Sequence, residues 1–140
     1  IMNVDKKILD RATVIAKRSP QKRFMTGSII MKNGKEVGTG WSHVSSLRLN
    51  NLYSIHAEIH ALARCRHLDL KNATAYISTV SRKSSNLTSA KPCLSCAVAL
   101  YSAGIRTAIY TIDNANYGVL DLTKDLSDLK VYKSKDDYDK

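Results

Sequence analysis

Apolar residues near the start of the chain recur at the spacing of an α-helix. The residues on this predicted face are Val4, Ile8, Ala12 and Ile15. Asn3 is of the type that caps a helix N-terminus, and Ser19-Pro20 is a typical stop signal. The pattern predicts a helix from about residue 4 to residue 17.

The next apolar stretch has the pattern of a β-hairpin. Residues 27–41 read GSIIMKNGKEVGTGW, with Asn33-Gly34 between two strand-like halves. This dipeptide tolerates the positive φ angles of a tight turn. Gly27, Gly38 and Gly40 are positions where the backbone could approach a ligand closely.

Further along, helical spacing alternates with β-favouring stretches. The predicted elements are a polar turn over 42–54, a helix over 55–68, a strand over 73–80, a polar connection over 81–91, a helix from Pro92 to Gly104, a strand over 105–113, and a short helix over 122–129 followed by a strand. In the helix over 55–68, the predicted core face is Ile55, Ile59, Leu62 and Ala63. This alternation is typical of an α/β domain in which helices cover a mixed sheet.

Length and composition indicate one soluble domain. The chain has 140 residues, with 44% hydrophobic and 24% charged, which suits a single globular core over residues 1–140. Residues from about 113 onward form an acidic C-terminal part. No apolar run reaches the roughly 20 residues of a membrane span, and the start lacks the features of a secretory signal. We expect a cytoplasmic protein.

Basic residues are concentrated in the first part of the chain. Residues 1–112 carry 17 Lys and Arg against 5 Asp and Glu, whereas residues 113–140 carry 5 against 7. A positive field attracts phosphate groups, so a nucleotide or a nucleic acid is a candidate partner. Solubility alone is the alternative explanation.

Two short motifs contain residues that bind metals. Cys93 and Cys96 are three positions apart at the start of a predicted helix, so both thiols can face one ion. His56 supplies a third ligand, as in catalytic zinc sites that keep one position open for water. Glu58 can then carry a proton to and from that water. A closed zinc site with His60 as the fourth ligand, or a redox dithiol, remains the alternative.

The segments HAEIHAL (56–62) and KPCLSCAVAL (91–100) resemble the cytidine and deoxycytidylate deaminase superfamily, over about residues 4–112. The resemblance implies a three-layer α/β/α fold with a mixed five-stranded sheet. It also implies a zinc cofactor held by His56, Cys93 and Cys96, with Glu58 as the proton shuttle. Because relatives are often oligomers, it further implies a homo-oligomer.

The resemblance extends to substrate contacts near the motifs. Ala57 matches a position whose backbone commonly meets the base. Ser42 stands where relatives often carry an Asn that touches the sugar. His60 is either a pocket residue or a packed core histidine.

Aromatic and basic residues outside the motifs are further candidates for substrate binding. Phe24 and Trp41 could stack on a base, with core packing as the alternative for at least one of them. Arg82, Lys83 and Lys91 lie on the connection that leads into the metal helix, where they could meet a phosphate or form a solvated hairpin tip.

These features favour a zinc-dependent hydrolytic deaminase that converts a cytosine-type base to uracil and releases ammonia. A free pyrimidine nucleotide or nucleoside such as deoxycytidylate is the expected substrate, and we expect a role in nucleotide metabolism. One alternative is a polynucleotide deaminase acting on tRNA or single-stranded DNA. Another is a non-catalytic binding module stabilised by zinc, which would keep its function in the Glu58→Ala variant.

Overall fold

The computed structural model describes residues 5–48 and 51–131, without the side chains of residues 45–53. In these residues the helices are α1 (Lys6–Ala16), α2 (Ala57–Cys65) and α3 (Leu94–Ser102). The strands are β1 (Phe24–Lys32), β2 (Lys35–Trp41), β3 (His43–Arg48), β4 (Asn51–Ile55), β5 (Thr74–Ser81), β6 (Leu87–Thr88), β7 (Thr107–Thr111) and β8 (Tyr117–Asp121).

The main sheet is mixed, as predicted. Its order is β2-β1-β5-β7-β8, with the short β6 paired to β5, and β3 and β4 form a separate two-stranded ladder. β5 and β7 run parallel, while the pairs β1–β2, β1–β5 and β7–β8 are antiparallel. The turn between β1 and β2 also follows the prediction, because Asn33 and Gly34 have φ angles of 52° and 75°.

Helices cover both faces of this sheet, which confirms the three-layer α/β/α class. α1 packs through Leu9, Ala12 and Ile15 against one face, whose strand residues are Ile29, Tyr76 and Ile109. α2 and α3 lie on the other face, in the cluster that contains Ile30, Ala61, Ile77, Leu100 and Ala108. Consecutive strand residues such as Ile29 and Ile30 pack in opposite layers of the core, because strand side chains alternate between the two faces of a sheet.

The glycines of the hairpin were predicted to be positions where the backbone approaches a ligand. In the structure they instead allow the helices to lie close to the sheet. A Cβ atom at Gly40 would overlap the backbone of Ala57 and Ala61, and one at Gly27 would overlap Ala12 and Ala16. Each helix therefore packs directly on the strand backbone. For α2, this packing fixes the position of the helix N-terminus.

The close approach of α2 also explains why its predicted core face is only partly right. Leu62 packs against the core cluster as predicted. The buried residues are Ala57, Glu58, Ala61 and Cys65. Ile59 is 38% exposed and Ala63 is exposed, although both were expected in the core. Only small side chains fit between α2 and the glycines of β2, so the bulkier Ile59 is excluded from that face.

The ends of two helices also differ from the prediction. α1 begins at Lys6 and is capped by Asp5, whose side chain accepts a hydrogen bond from the Lys7 N–H; Asn3 lies outside the described residues. α3 is capped by Cys93, so Pro92 precedes the helix and is not part of its first turn.

Residues 42–54 were predicted to be a turn, but residues 43–48 and 51–54 belong to the β3–β4 ladder. His43 pairs with Ile55 and Val44 with Ser54. The backbone hydrogen bonds of a ladder do not require an apolar sequence, so the polar composition of this segment was misleading. The ladder leads the chain directly to His56.

The helix predicted over 122–129 is absent from the described structure, which has turns there. Asp121 and Asp125 accept hydrogen bonds from the N–H groups of Thr123 and Ser127. Such local side-chain bonds compete with helix formation. The preceding strand β8 was missed by the sequence analysis, and the strand predicted over 130–133 extends beyond the described residues.

Within the described residues, no helix combines the length and the apolar content needed to cross a membrane.

Candidate active site

The two sequence motifs meet at the N-termini of α2 and α3. His56 is the N-cap of α2 and Cys93 is the N-cap of α3, with Cys96 in the first turn of the same helix. Helix N-termini carry partial positive charge and favour thiolates. Both helices therefore direct ligand-bearing residues and positive dipole ends to one place.

The three predicted metal ligands form one cluster. The Nδ1 atom of His56 lies 3.2 Å from the Cys96 sulfur and 3.5 Å from the Cys93 sulfur. All three candidate ligand atoms lie within 4.8 Å of one another. Cys93 and Cys96 are buried, at 5% and 1% exposure. The arrangement offers one nitrogen and two sulfur donors to a single ion.

The electrostatics of the cluster suit a metal cation. A hydrogen bond from Cys96 lowers the pKa of Cys93 to about 3, against the opposing effect of burial and with further hydrogen bonds from His56 and Ser95. The same hydrogen bond, together with burial, raises the pKa of Cys96. The low pKa of Cys93 favours its thiolate, which is the form that binds a metal. A thiolate beside an imidazole is a donor set that zinc favours, with a fourth position free for water.

Glu58 is a buried carboxyl beside the cluster. It lies in the first turn of α2 and is 4% exposed. Burial raises its pKa above the ordinary value, although the positive charge of His56 and a hydrogen bond from its own backbone N–H act in the opposite direction. A buried carboxyl with a raised pKa is better suited to hold and return a proton than an ordinary surface carboxylate.

A cavity of about 530 Å³ opens beside the cluster. The residues with acid–base or metal-binding groups in its wall are His56, Glu58 and Cys93. A second part of the wall bears hydroxyl and amide groups, from Gln21, Thr26, Ser42, Ser54, Thr79, Thr88 and Ser89. The other charged residues of the wall are Lys91, which precedes Cys93 in the chain, and Asp128 and Lys130 near its C-terminal end. The cavity thus combines a reactive end with polar groups that can orient a ligand.

Four of the six predicted substrate contacts line this cavity, namely Phe24, Ser42, Ala57 and Lys91. Trp41 and His60 lie outside its wall and contact each other. The backbone N–H of Trp41 donates to the Nδ1 atom of His60 at 3.1 Å, and the two rings meet edge to face with their centroids 4.6 Å apart. Burial and the nearby His43 and Arg64 lower the pKa of His60. His60 therefore supports the packing of α2 on β2.

The basic residues of the 81–91 connection separate into two groups. Lys91 lines the cavity, and its Nζ atom lies 3.7 Å from the Asp128 carboxylate. Arg82 instead donates hydrogen bonds to the backbone carbonyls of Ser19 and Gln21. Lys83 is exposed and is not part of the cavity wall.

Several cavity residues escaped the sequence analysis. Gln21 lies between the predicted first helix and the hairpin, where no element was predicted, and Ser54 lies in the predicted turn over 42–54. Asp128 and Lys130 lie beyond β8, in a segment predicted partly as a helix. None of them belongs to a motif with a fixed spacing. Only the folded chain brings them to the cavity, so no local pattern could have found them.

The comparison with protein families matches residues 2–112 to the cytidine and deoxycytidylate deaminase zinc-binding region. The chain belongs to this family. Zinc is accordingly its metal cofactor, and the cluster of His56, Cys93 and Cys96 is able to hold a metal ion. The part of the cavity wall formed by Asp128, Leu129 and Lys130 lies outside the region that matches the family.

Solved structures show the same deaminase fold. The dCMP deaminase of cyanophage S-TIM5, in complex with dCMP and dUMP, has a TM-score of 0.61 and 22% identity, over 79% of this chain and 83% of that chain. The cytidine deaminase of Burkholderia pseudomallei has a TM-score of 0.63 and 16% identity, over 86% of this chain and 94% of that chain. The comparison with curated proteins finds no significant match.

Proposed function

We propose that this family member is a zinc-dependent hydrolytic deaminase that converts a cytosine-type base to uracil and releases ammonia. Its substrate is a free pyrimidine nucleotide or nucleoside, such as deoxycytidylate. One observation carries the proposal: the buried carboxyl of Glu58 shares a cavity with His56 and Cys93. A purely structural zinc site has no need of a buried acid at an open cavity.

The residues divide the chemistry between them. His56, Cys93 and Cys96 would hold the zinc ion, which would supply Lewis-acid activation of a water molecule. Glu58 would accept a proton from the attacking water as the water oxygen bonds to the amine-bearing ring carbon. Glu58 then returns the proton to the departing amine, so the carbon–nitrogen bond breaks and ammonia leaves. The raised pKa of Glu58 suits both transfers.

The size and polarity of the cavity favour a small substrate. About 530 Å³ is within the range of small-molecule sites, roughly 300–1,000 Å³. Lys91, Asp128 and Lys130 line the cavity, and the Asp128 carboxylate lies 3.7 Å from the Lys91 Nζ atom, so two cations against one anion leave this part of the wall positive. A positive wall favours an anionic phosphate, which supports a nucleotide over a nucleoside. The S-TIM5 dCMP deaminase, which shares the fold, was crystallised with dCMP and dUMP.

The test is a turnover assay on zinc-loaded protein. The substrates are cytidine, deoxycytidine, their monophosphates, adenosine, single-stranded DNA and unmodified tRNA, with products identified by mass spectrometry. We expect conversion of a small cytosine compound. A matched Glu58→Gln variant should bind the same amount of zinc and lose activity by a factor of about 10³.

The result can contradict the proposal in three ways. Conversion confined to DNA or tRNA would show that the substrate is a polynucleotide and not a free nucleotide. Conversion of adenosine alone would show that the substrate base is adenine and not cytosine. Equal activity in the Glu58→Gln variant would remove Glu58 from the mechanism.

A further inference from the structure

One residue of the cavity wall, Gln21, comes from a segment without regular secondary structure. Residues 17–23 join α1 to β1 and belong to neither a helix nor a strand. Gln21 in this segment lines the cavity, and its Nε2 atom donates to the Ser54 hydroxyl at 2.7 Å. Because no ladder holds this backbone, other contacts must fix its position.

A second contact links this segment to the cavity. The hydroxyl of Ser19 lies 2.9 Å from that of Ser42, which is 4% exposed and lines the cavity. The Ser42 hydroxyl also accepts a hydrogen bond from the Thr26 N–H at 3.0 Å. Displacement of Ser19 would therefore disturb Ser42, and displacement of Gln21 would disturb Ser54.

Arg82 holds the segment from the neighbouring end of β5. Its Nη2 atom donates to the Ser19 carbonyl at 2.7 Å, and its Nε atom donates to the Gln21 carbonyl at 2.9 Å. The Arg82 backbone N–H donates to the Arg23 carbonyl at 2.9 Å. The planar guanidinium matches two carbonyls at once, whereas a lysine ammonium is a single point donor.

We propose that Arg82 is a positioning residue that sets the affinity of the cavity for its substrate. It does so by holding residues 19–23, so that Gln21 and Ser42 keep their places in the wall. The inference rests on the proposed function, because it assigns this wall to substrate binding. Arg82 itself is absent from the residues that line the cavity and makes its contacts to the segment.

The first measurement is independent of activity. Amide hydrogen exchange is compared between the wild-type protein, Arg82→Gln, Arg82→Lys and Lys83→Gln. Lys83→Gln is the matched control, because it removes the same charge at the next position, which is exposed. We expect exchange in residues 19–23 to accelerate at least about tenfold in both Arg82 variants, since two hydrogen bonds are lost or reduced. Exchange in β1 and β5 should not change.

The second measurement separates KM from kcat on the best small cytosine substrate. Both Arg82 variants should raise KM about tenfold, with kcat within about twofold and zinc content unchanged. Lys83→Gln should match the wild type. A merely structural role would instead lower zinc content and kcat together.

Three results would overturn the inference. Unchanged exchange in residues 19–23 would show that Arg82 does not hold the segment. Faster exchange with unchanged KM would show that this wall does not bind substrate. Full recovery by Arg82→Lys would show that charge, and not the two-point hydrogen bonding, is what matters. If the wild-type protein deaminates no cytosine compound, the proposed function fails, while the exchange data still decide whether Arg82 holds the segment.

Discussion

The Nδ1 atom of His56 lies 3.2 Å from the sulfur of Cys96, although the two residues are 40 positions apart in the chain. This contact joins the start of α2 to the first turn of α3, so the metal cluster ties together two elements on one face of the sheet. Metal binding should therefore stabilise the fold as well as support chemistry.

We expect the purified protein to bind zinc in equimolar amount and to lose it in the His56→Ala, Cys93→Ser and Cys96→Ser variants. Removal of zinc with a chelator should lower Tm, because the fold then loses the ligand that binds only the native state. Elemental analysis and thermal unfolding are the measurements. Cys65→Ala is the control, since Cys65 is buried in the core and lies outside the metal cluster. Loss of zinc in this control alone would contradict the assignment.

The buried carboxyl of Glu58 should make zinc-free stability depend on pH. Its folded pKa is raised above the ordinary value of 4.5, so the native state binds more protons than the unfolded state above that pH. The stability it contributes is present below about pH 4.5 and is lost as pH rises through the folded pKa.

The Glu58→Gln variant has no carboxyl to ionise and should escape this loss. The free energy of unfolding of the zinc-free variant, minus that of the zinc-free wild type, should therefore increase from pH 4.5 toward neutrality. Urea titrations at several pH values measure this difference. A difference that stays constant with pH would show that Glu58 has the same pKa in the folded and the unfolded protein.

Two buried serines on adjacent strands should respond in opposite ways to removal of their hydroxyls. Within the described part of the chain, the Ser28 hydroxyl has no hydrogen-bond partner, whereas that of Ser78 lies 2.7 Å from the Thr13 hydroxyl. Ser28→Ala should raise the free energy of unfolding by about 1 kcal/mol, because an unsatisfied buried polar group is removed. Ser78→Ala should lower it by about 1 kcal/mol. Chemical denaturation distinguishes them, and equal effects would show that Ser28 has a partner.

Gly40 should tolerate no side chain, because α2 packs on its Cα atom. Gly40→Ala should cost about 3 kcal/mol of stability through overpacking and should weaken zinc binding, since it displaces the helix that begins after His56. Gly34→Ala is the matched control: there is open space at that turn, but the φ angle is 75°. It should cost only about 1 kcal/mol and leave zinc affinity unchanged. Equal zinc affinity in both variants would mean that α2 can shift without moving His56.

Local patterns predicted some elements well and others poorly. The Asn33-Gly34 turn followed from backbone preferences within the dipeptide, and the presence of a helix at each motif followed from short-range spacing, although α2 and α3 each begin two residues later than predicted. The buried face of α2 did not, because Ile59 has the apolarity of a core residue but not the small size that the glycines of β2 demand. In the C-terminal part, the apolar spacing over 122–129 suggested a helix, while Asp121 and Asp125 bonded to nearby backbone groups instead.

The sequence by itself determined the types of residue that can bind zinc and carry a proton, because ligand chemistry and short spacing are properties of His56, Glu58 and the Cys93–Cys96 pair. Only the tertiary structure decided what surrounds them. Gln21 and Lys130 line the same cavity although they lie near opposite ends of the chain. The Arg82 guanidinium donates hydrogen bonds to the backbone carbonyls of Ser19 and Gln21. Such contacts depend on how helices pack on the sheet, which involves distances between residues remote in sequence that no local pattern encodes.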